Sequence, residues 1–225
     1  MCYNTLICNS IVTIFVQWGG IMVITIARQY GSGGRQIGMT LAKRLGIEYY
    51  DRELINLAAK ESGVSPEIFE KVDEKSMNSL LYSLSLGATA TIGADYAMSP
   101  NLPINDRLFM LQHDIIRKVS QKPCVIVGRC ADYILSERPD CVKVFIYADI
   151  KKRIKYAVDV HNVPKENAAS VIKKVDKSRE KYYNNYASGK WGDPLNYNLC
   201  INSGELGAEK CVELIEFYLR QRGMI

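Results

Sequence analysis

Apolar residues along this chain fall into two alternating rhythms: short β-branched runs that stop at a glycine or an aspartate, and longer stretches in which every third or fourth position is apolar. Met22 to Ala27 is a run of the first kind, and the cluster Gly31-Ser32-Gly33-Gly34 after it predicts a buried strand feeding a tight turn. Arg35 to Leu45 is of the second kind. Its Ile37, Leu41, Ala42 and Leu45 recur at helical spacing, and Gly46 stands where a C-cap glycine belongs. Ile47 to Tyr50 predicts a short second strand ending at Asp51.

Asp51 to Lys60 predicts a helix with Leu54, Ile55, Leu57 and Ala58 inward, and Ser65-Pro66-Glu67 opens another, with Ser65 as N-cap and Pro66 in the first turn. Ser76 to Asn105, rich in Ser, Ala, Gly, Leu and Met and broken by Pro100 and Pro103, predicts a helix and then a mobile loop. Asp106 to Gln121 is again amphipathic. A third strand is predicted over Pro123 to Val127, a fourth over Val142 to Tyr147 and a fifth over Asn198 to Ile201, before a closing helix from Gly207 to Arg222. Strand and helix alternate throughout, which calls for an α/β fold with a mainly parallel five-stranded sheet covered on both faces.

Composition narrows this picture. With 225 residues, 48% of them apolar and 24% charged, the chain fits one α/β domain carrying a small appended lobe. The net charge of +5 is spread along the chain rather than gathered in a stripe, which favours a small anionic ligand over nucleic acid. Seven scattered cysteines without a C-x-x-C pair suggest neither a disulfide framework nor a zinc site, and read as reduced thiols of a cytoplasmic protein. His113 and His161 stand too far apart to supply a histidine-based metal site or triad. Leu6 to Val16 is apolar but falls well short of the roughly 20 residues that a membrane helix needs, and no Lys or Arg precedes it, so no membrane association is expected. Trp18-Gly19-Gly20-Ile21, just before Met22, can be encoded by a purine-rich stretch at ribosome-binding distance. Residues 1–21 are therefore expected to be a non-native or disordered extension, with translation starting at Met22.

A strand, a glycine-rich turn and a helix N-terminus together make a phosphate cradle, because glycines let successive backbone N–H groups converge and the helix dipole favours an anion. Gly31, Gly33 and Gly34 supply that freedom, while Ser32 adds a donor and Arg35 a cation. The full P-loop pattern G-x-x-x-x-G-K-[ST] is absent. Aligned on Gly33, its first glycine is Arg28, its lysine is Gly34 and its Ser/Thr is Arg35; a one-residue offset instead puts Arg35 on the lysine. A bare glycine turn linking strand to helix would account for the same residues.

Further blocks follow in order. Ile24 to Gly38 leads into Leu41-Ala42 and Leu45-Gly46, then Tyr49-Tyr50-Asp51-Arg52-Glu53-Leu54-Ile55 and Val127-Gly128-Arg129-Cys130-Ala131-Asp132. Asp176-Lys177-Ser178-Arg179, Tyr182-Tyr183 and Trp191 to Leu199 complete the set. Together they resemble the cytidylate-kinase-like family, a relative of bacterial cytidylate kinases among the P-loop nucleoside-monophosphate kinases. The resemblance implies a three-layer P-loop NTPase fold over 22–225 with two helical insertions, an acceptor-binding one at about 51–105 and a lid at about 153–195. It also implies a cytoplasmic kinase that uses ATP and Mg²⁺ on a nucleoside monophosphate such as CMP. In that reading Gly31, Ser32, Gly33, Gly34, Arg35 and Gln36 hold the donor phosphates, and Arg52, Arg129 and Asp132 hold the acceptor. Arg35, Asp51, Arg179 and Arg153 serve the transfer.

The residues themselves leave alternatives open. Asp51, at a strand end, either orients Mg²⁺ or an attacking oxygen, or caps the next helix. Arg129 clamps an acceptor phosphate or is a solvated arginine, and Asp132 holds Arg129 or faces water. Arg153, Asp176, Lys177 and Arg179 fall on the two lid helices, where arriving cations stabilise a transferring phosphoryl group; Lys173, Lys174, Lys177 and Lys181 also read as a solvated face. Tyr182, Tyr183, Tyr186 and Trp191 stack on a base or pack in the core. Because the P-loop lysine is missing and Ser76 to Asn105 matches little in cytidylate kinases, two rivals stand: a catalytically silent nucleotide-binding module, and a kinase of another small metabolite.

Overall fold

The computed structural model describes residues 21–51 and 104–225. The expected N-terminal extension up to residue 20, the helices expected from Arg52 onward and Arg52 itself lie outside the described residues. Five strands form one sheet: β1 (Val23–Arg28), β2 (Glu48–Tyr50), β3 (Cys124–Val127), β4 (Cys141–Tyr147) and β5 (Leu199–Asn202). All four pairings are parallel and the order is β2-β3-β1-β4-β5. Among the described residues the α-helices are α1 (Gly34–Leu45), α2 (Ile104–Val119), α3 (Ala131–Ile134), α4 (Ile150–Asp159), α5 (Lys165–Tyr186) and α6 (Ser203–Gln221).

The period-two alternation of β1 divides the core into two layers. Ile24 and Ile26 point to the face covered by Ile37, Leu41 and Leu45 of α1 and by Val212, Ile215 and Leu219 of α6. Val23 points to the other, where Ile115 and Ile116 of α2 and Leu135 pack with Cys124 and Ile126. Both faces of a parallel sheet must be covered, which is why these strands read as continuous apolar runs. Central β1 is flanked by β3 on one side and β4 on the other, so the chain reverses its direction of winding here. Open α/β sheets bind ligands at that switch point, beyond the C-terminal strand ends.

Two boundaries differ from expectation in ways that matter below. β1 runs on through Arg28, whose pairing with Ile146 of β4 continues the ladder. α6 begins at Ser203 rather than Gly207, because Asn202 Oδ1 accepts from Gly204 N at 3.1 Å and starts a helical segment early; Gly207, at φ 75° and ψ 168°, marks where that segment joins the main helix. Gly46 caps α1 in the left-handed region as expected.

Ile26 has no solvent exposure and lies in the central strand, whereas Phe217 on α6 is 58% exposed. Ile26→Ala is expected to cost about 2–5 kcal/mol of unfolding free energy, and Phe217→Ala within about 0.5 kcal/mol of nothing, as measured by chemical denaturation.

Candidate active site

The turn between β1 and α1 is shaped by backbone first. Gly31 and Gly33 have φ of 76° and 74°, and a Cβ on Gly31 would stand 2.7 Å from the carbonyl oxygen of Arg153. α4 thus approaches the turn closely, and an alanine at 31 would push it away. The Ser32 hydroxyl lies within 2.9 Å of Gln29 O and 3.2 Å of Ile146 O, so it is turned into the turn rather than outward. Helix α1 then starts without a side-chain cap and without an acidic residue in its first turn. Its positive end is thereby left to an anion, with backbone N–H groups rather than the Ser32 hydroxyl as donors.

Asp51, just past β2, gathers the charges around this turn. Its Oδ2 lies 2.9 Å from Arg35 Nε and 3.4 Å from the Tyr49 hydroxyl, and its Oδ1 is 3.8 Å from Arg28 Nη2. Burial, and then the Asp51 charge, push the Tyr49 phenol up to about 12, which keeps it a neutral donor to the carboxylate. The sequence reading places Asp51 and Arg35 here but misses Arg28. The signal was present, since Arg28 occupies the position of the first P-loop glycine, and a strand-terminal arginine beside that turn has the crevice as its nearest open space.

A second cluster fastens the turn from the other side. Arg153 is only 6% exposed, and its two terminal nitrogens each approach Asp176 Oδ2 to 2.7 Å. The other carboxylate oxygen accepts from Tyr30 N at 2.7 Å. Burial raises the Asp176 carboxyl above its ordinary range, against the pull of the Tyr30 N–H and of Arg153. One helical turn on, Arg179 Nη1 donates to Arg28 O at 3.0 Å, so α5 grips the backbone on both sides of Gln29. Arg153, read as a transfer residue, is placed in this framework beneath the turn. Gln36 Oε1 accepts from the Tyr156 hydroxyl at 3.2 Å and ties α1 to α4.

At the end of β3, Arg129 (φ 60°) and Cys130 (φ 55°) both stand in the left-handed region, a conformation that costs a non-glycine residue roughly 1–2 kcal/mol. Strain of this kind is kept where a strand end must aim a side chain. Asp132 does not face water: it is 4% exposed, and its Oδ2 accepts from the Tyr183 hydroxyl at 2.8 Å. The tyrosines expected to stack on a base or pack inside are held by protein. Tyr182 donates to Gln112 Oε1 at 2.9 Å, Tyr186 stacks on Phe109 with centroids 4.1 Å apart, and Trp191 meets Phe145 edge-on at 5.6 Å. Lys173, Lys174, Lys177 and Lys181 of α5 are exposed.

A cavity of about 250 Å³ opens beside the turn, between Gly31 to Gly33, Lys152 and Tyr156 of α4, and Ser203 and Gly204 at the start of α6. His161 stacks on Tyr30 at 5.1 Å between ring centroids, and burial followed by the charges of Arg179 and Arg35 lowers its pKa, leaving a neutral ring. The uncapped glycine turn, this cavity and the surrounding arginines fit a nucleotide triphosphate. A directly bound metal fits less well: among the described residues no three His, Cys, Asp or Glu side chains gather, and both Asp51 oxygens are turned to guanidinium groups. Mg²⁺ would therefore enter on the nucleotide.

Removing the Asp176 charge leaves Arg153 buried and uncompensated. Asp176→Asn is expected to lower stability by about 3–5 kcal/mol, read by thermal or denaturant unfolding. Unchanged stability would show that the ion pair does not hold the turn.

Comparison with known proteins agrees with this geometry. A crystal structure of an uncharacterized protein from Eubacterium ventriosum is 27% identical, superposes with a TM-score of 0.66, and covers 88% of this chain and 98% of that one. Shikimate kinase from Acinetobacter baumannii, in complex with shikimate, has a TM-score of 0.53 at 15% identity over 93% of this chain and 99% of its own, a likeness of fold. The uronate isomerase of Corynebacterium glutamicum is 28% identical over 152 residues, which are 67% of this chain but 29% of that protein, so the chain spans less than a third of this relative's length. No described helix is long and apolar enough to cross a membrane. The cytidylate kinase-like family model matches residues 23–205, from the first strand through the start of α6, and the chain belongs to that family.

Proposed function

We propose that this protein is an ATP-dependent phosphotransferase that takes Mg²⁺ with its nucleotide and phosphorylates a small acceptor in the cytoplasm, most naturally a nucleoside monophosphate such as CMP. Family membership and the P-loop kinase fold support the phosphotransferase class. The observation that carries the reading is the meeting of an uncapped helix N-terminus with Arg28 and Arg35 around one carboxylate, Asp51, at the sheet's switch point, with Arg179 held against the Arg28 backbone beside them.

When bound, ATP supplies a phosphoryl group whose charge in transit spreads over three oxygens. In this proposal the N–H groups of Gly33, Gly34, Arg35 and Gln36 hold the donor phosphates, and the cavity beside the turn takes the nucleoside. Arg35, 54% exposed, stands at the rim and meets the transferring group, while Asp51 keeps Arg35 aimed. Arg179, on the α5 segment proposed as lid, brings a further cation and closes the crevice to water. Arg129 receives the acceptor phosphate from the end of β3, with Asp132 firming its turn through Tyr183. Arg52 and the 51–105 insertion complete the acceptor side.

An ATP-consumption screen over nucleoside monophosphates and small hydroxylated metabolites tests this. Turnover is expected with CMP or a close analogue. Arg35→Ala should lower kcat by on the order of a hundredfold. Arg129→Ala should raise the acceptor KM by about tenfold or more while leaving ATP affinity near wild type. ATP bound with no acceptor consumed would sink the kinase reading in favour of a silent nucleotide-binding module.

A further inference from the structure

Arg28 is 19% exposed in its side chain, and its path is recorded by the glycines it passes. A Cβ built on Gly34 would lie 2.6 Å from Arg28 Cβ and 3.0 Å from its Cγ. A Cβ built on Gly128 would lie 2.1 Å from Arg28 Nη1. The side chain therefore leaves the end of β1, crosses the first residue of α1, lies flat against the end of β3 and reaches Asp51 at the end of β2. That is the length of the crevice in which donor and acceptor would meet.

Positions 28 and 34 are the first-glycine and lysine positions of the P-loop pattern when it is aligned on Gly33. Here arginine stands at the first and glycine at the second. We propose that Arg28 has taken over the work of the P-loop lysine. On this view the cation that contacts the donor phosphates has moved from the helix N-terminus to the strand end, and Gly34 is glycine because this side chain passes over it. The proposal rests on the nucleotide-binding part of the proposed function.

Steric exclusion makes the two arrangements alternatives. The atoms crowding Gly34 are the Cβ and Cγ of Arg28, which sit next to the backbone and cannot swing aside as the far end of a side chain could. A lysine at 34 is thus incompatible with any side chain that starts out from 28 as this one does. Arg35, read from sequence as the substitute cation, is 54% exposed and bound through Nε to Asp51, which suits a rim position. Arg28 lies deeper, and its carbonyl is fixed by Arg179 Nη1 at 3.0 Å. A guanidinium also serves phosphate differently from an ammonium, offering a planar fork that can span oxygens of adjacent phosphates while one nitrogen stays near a carboxylate.

The test is an exchange within the full chain: Arg28→Gly, Gly34→Lys and the double variant Arg28→Gly/Gly34→Lys, with Gly34→Ala in both backgrounds as a milder probe. Each is read by thermal unfolding without nucleotide, by ATP affinity with Mg²⁺ from calorimetry, and by ATP consumption. Arg28→Gly is expected to fold and to lose ATP affinity by about tenfold or more. Gly34→Lys alone should lower both the unfolding temperature and ATP affinity. The double variant should regain affinity and unfold at a higher temperature than Gly34→Lys, and Gly34→Ala should destabilise only when Arg28 is present. Wild-type ATP affinity in Arg28→Gly overturns the proposal, as does a double variant no better than the product of its single losses. Binding without turnover in the wild type would count against the kinase reading only, since affinity and unfolding still decide the exchange; a wild type that binds no ATP overturns both.

Discussion

The site is organised by one half-buried carboxylate. Asp176 sits under the glycine turn with one oxygen on a chelating arginine and the other on the Tyr30 amide. Taking a carboxylate and a guanidinium out of water costs several kcal/mol per ion, a cost that only close, multiply bonded geometry offsets. Arg153 and Asp176 meet that condition, and in doing so they fix three separate pieces of chain: α4, α5 and the turn after β1. Gly31 follows from the same constraint. The Arg153 backbone is drawn to where a Cβ at 31 would stand 2.7 Å from its carbonyl oxygen, so the turn can carry no side chain there.

With the turn fixed from below, cations gather above it. Arg28 and Arg35 meet at Asp51, just past the end of β2, while Arg179 reaches the end of β1 through the Arg28 carbonyl. They stand next to a helix N-terminus with no acidic residue in its first turn. Such an arrangement is unfavourable for the empty fold, since like charges held a few ångströms apart repel, and it becomes favourable when a polyanion enters. Asp51 moderates the repulsion and sets the direction of Arg35, and so has a place in a crevice proposed to take phosphate.

Much of this was legible in the residues. The β-branched run at Val23, the helical spacing of Ile37, Leu41 and Leu45, and the glycine at 46 are local signals, and local signals set local structure. Asp51 and Arg129 could be placed because strand ends in a parallel sheet point to one edge. The contacts of Asp176 with Tyr30 could not, because the two are 146 residues apart and no periodicity relates them. Ser32 was misleading for a different reason: a serine in a glycine turn has carbonyls within reach of its own hydroxyl, and here the nearest, Gln29 O, captures it. Asp132 was read as an arginine's partner or a surface residue, and tertiary packing made it the acceptor of a tyrosine from α5.

Arg28 shows where a motif reading stops being adequate. A pattern such as G-x-x-x-x-G-K records which side chain occupies each position, but catalysis depends on where charge arrives in space. In this turn position 34 is closed by the Cβ of residue 28, and position 28 opens onto the crevice that a lysine at 34 would otherwise reach. Losing the lysine and gaining the arginine are then two views of one steric choice. Counted by position, the P-loop looks degraded. Counted by charge delivered to the switch point of the sheet, the proposed exchange keeps a cation there.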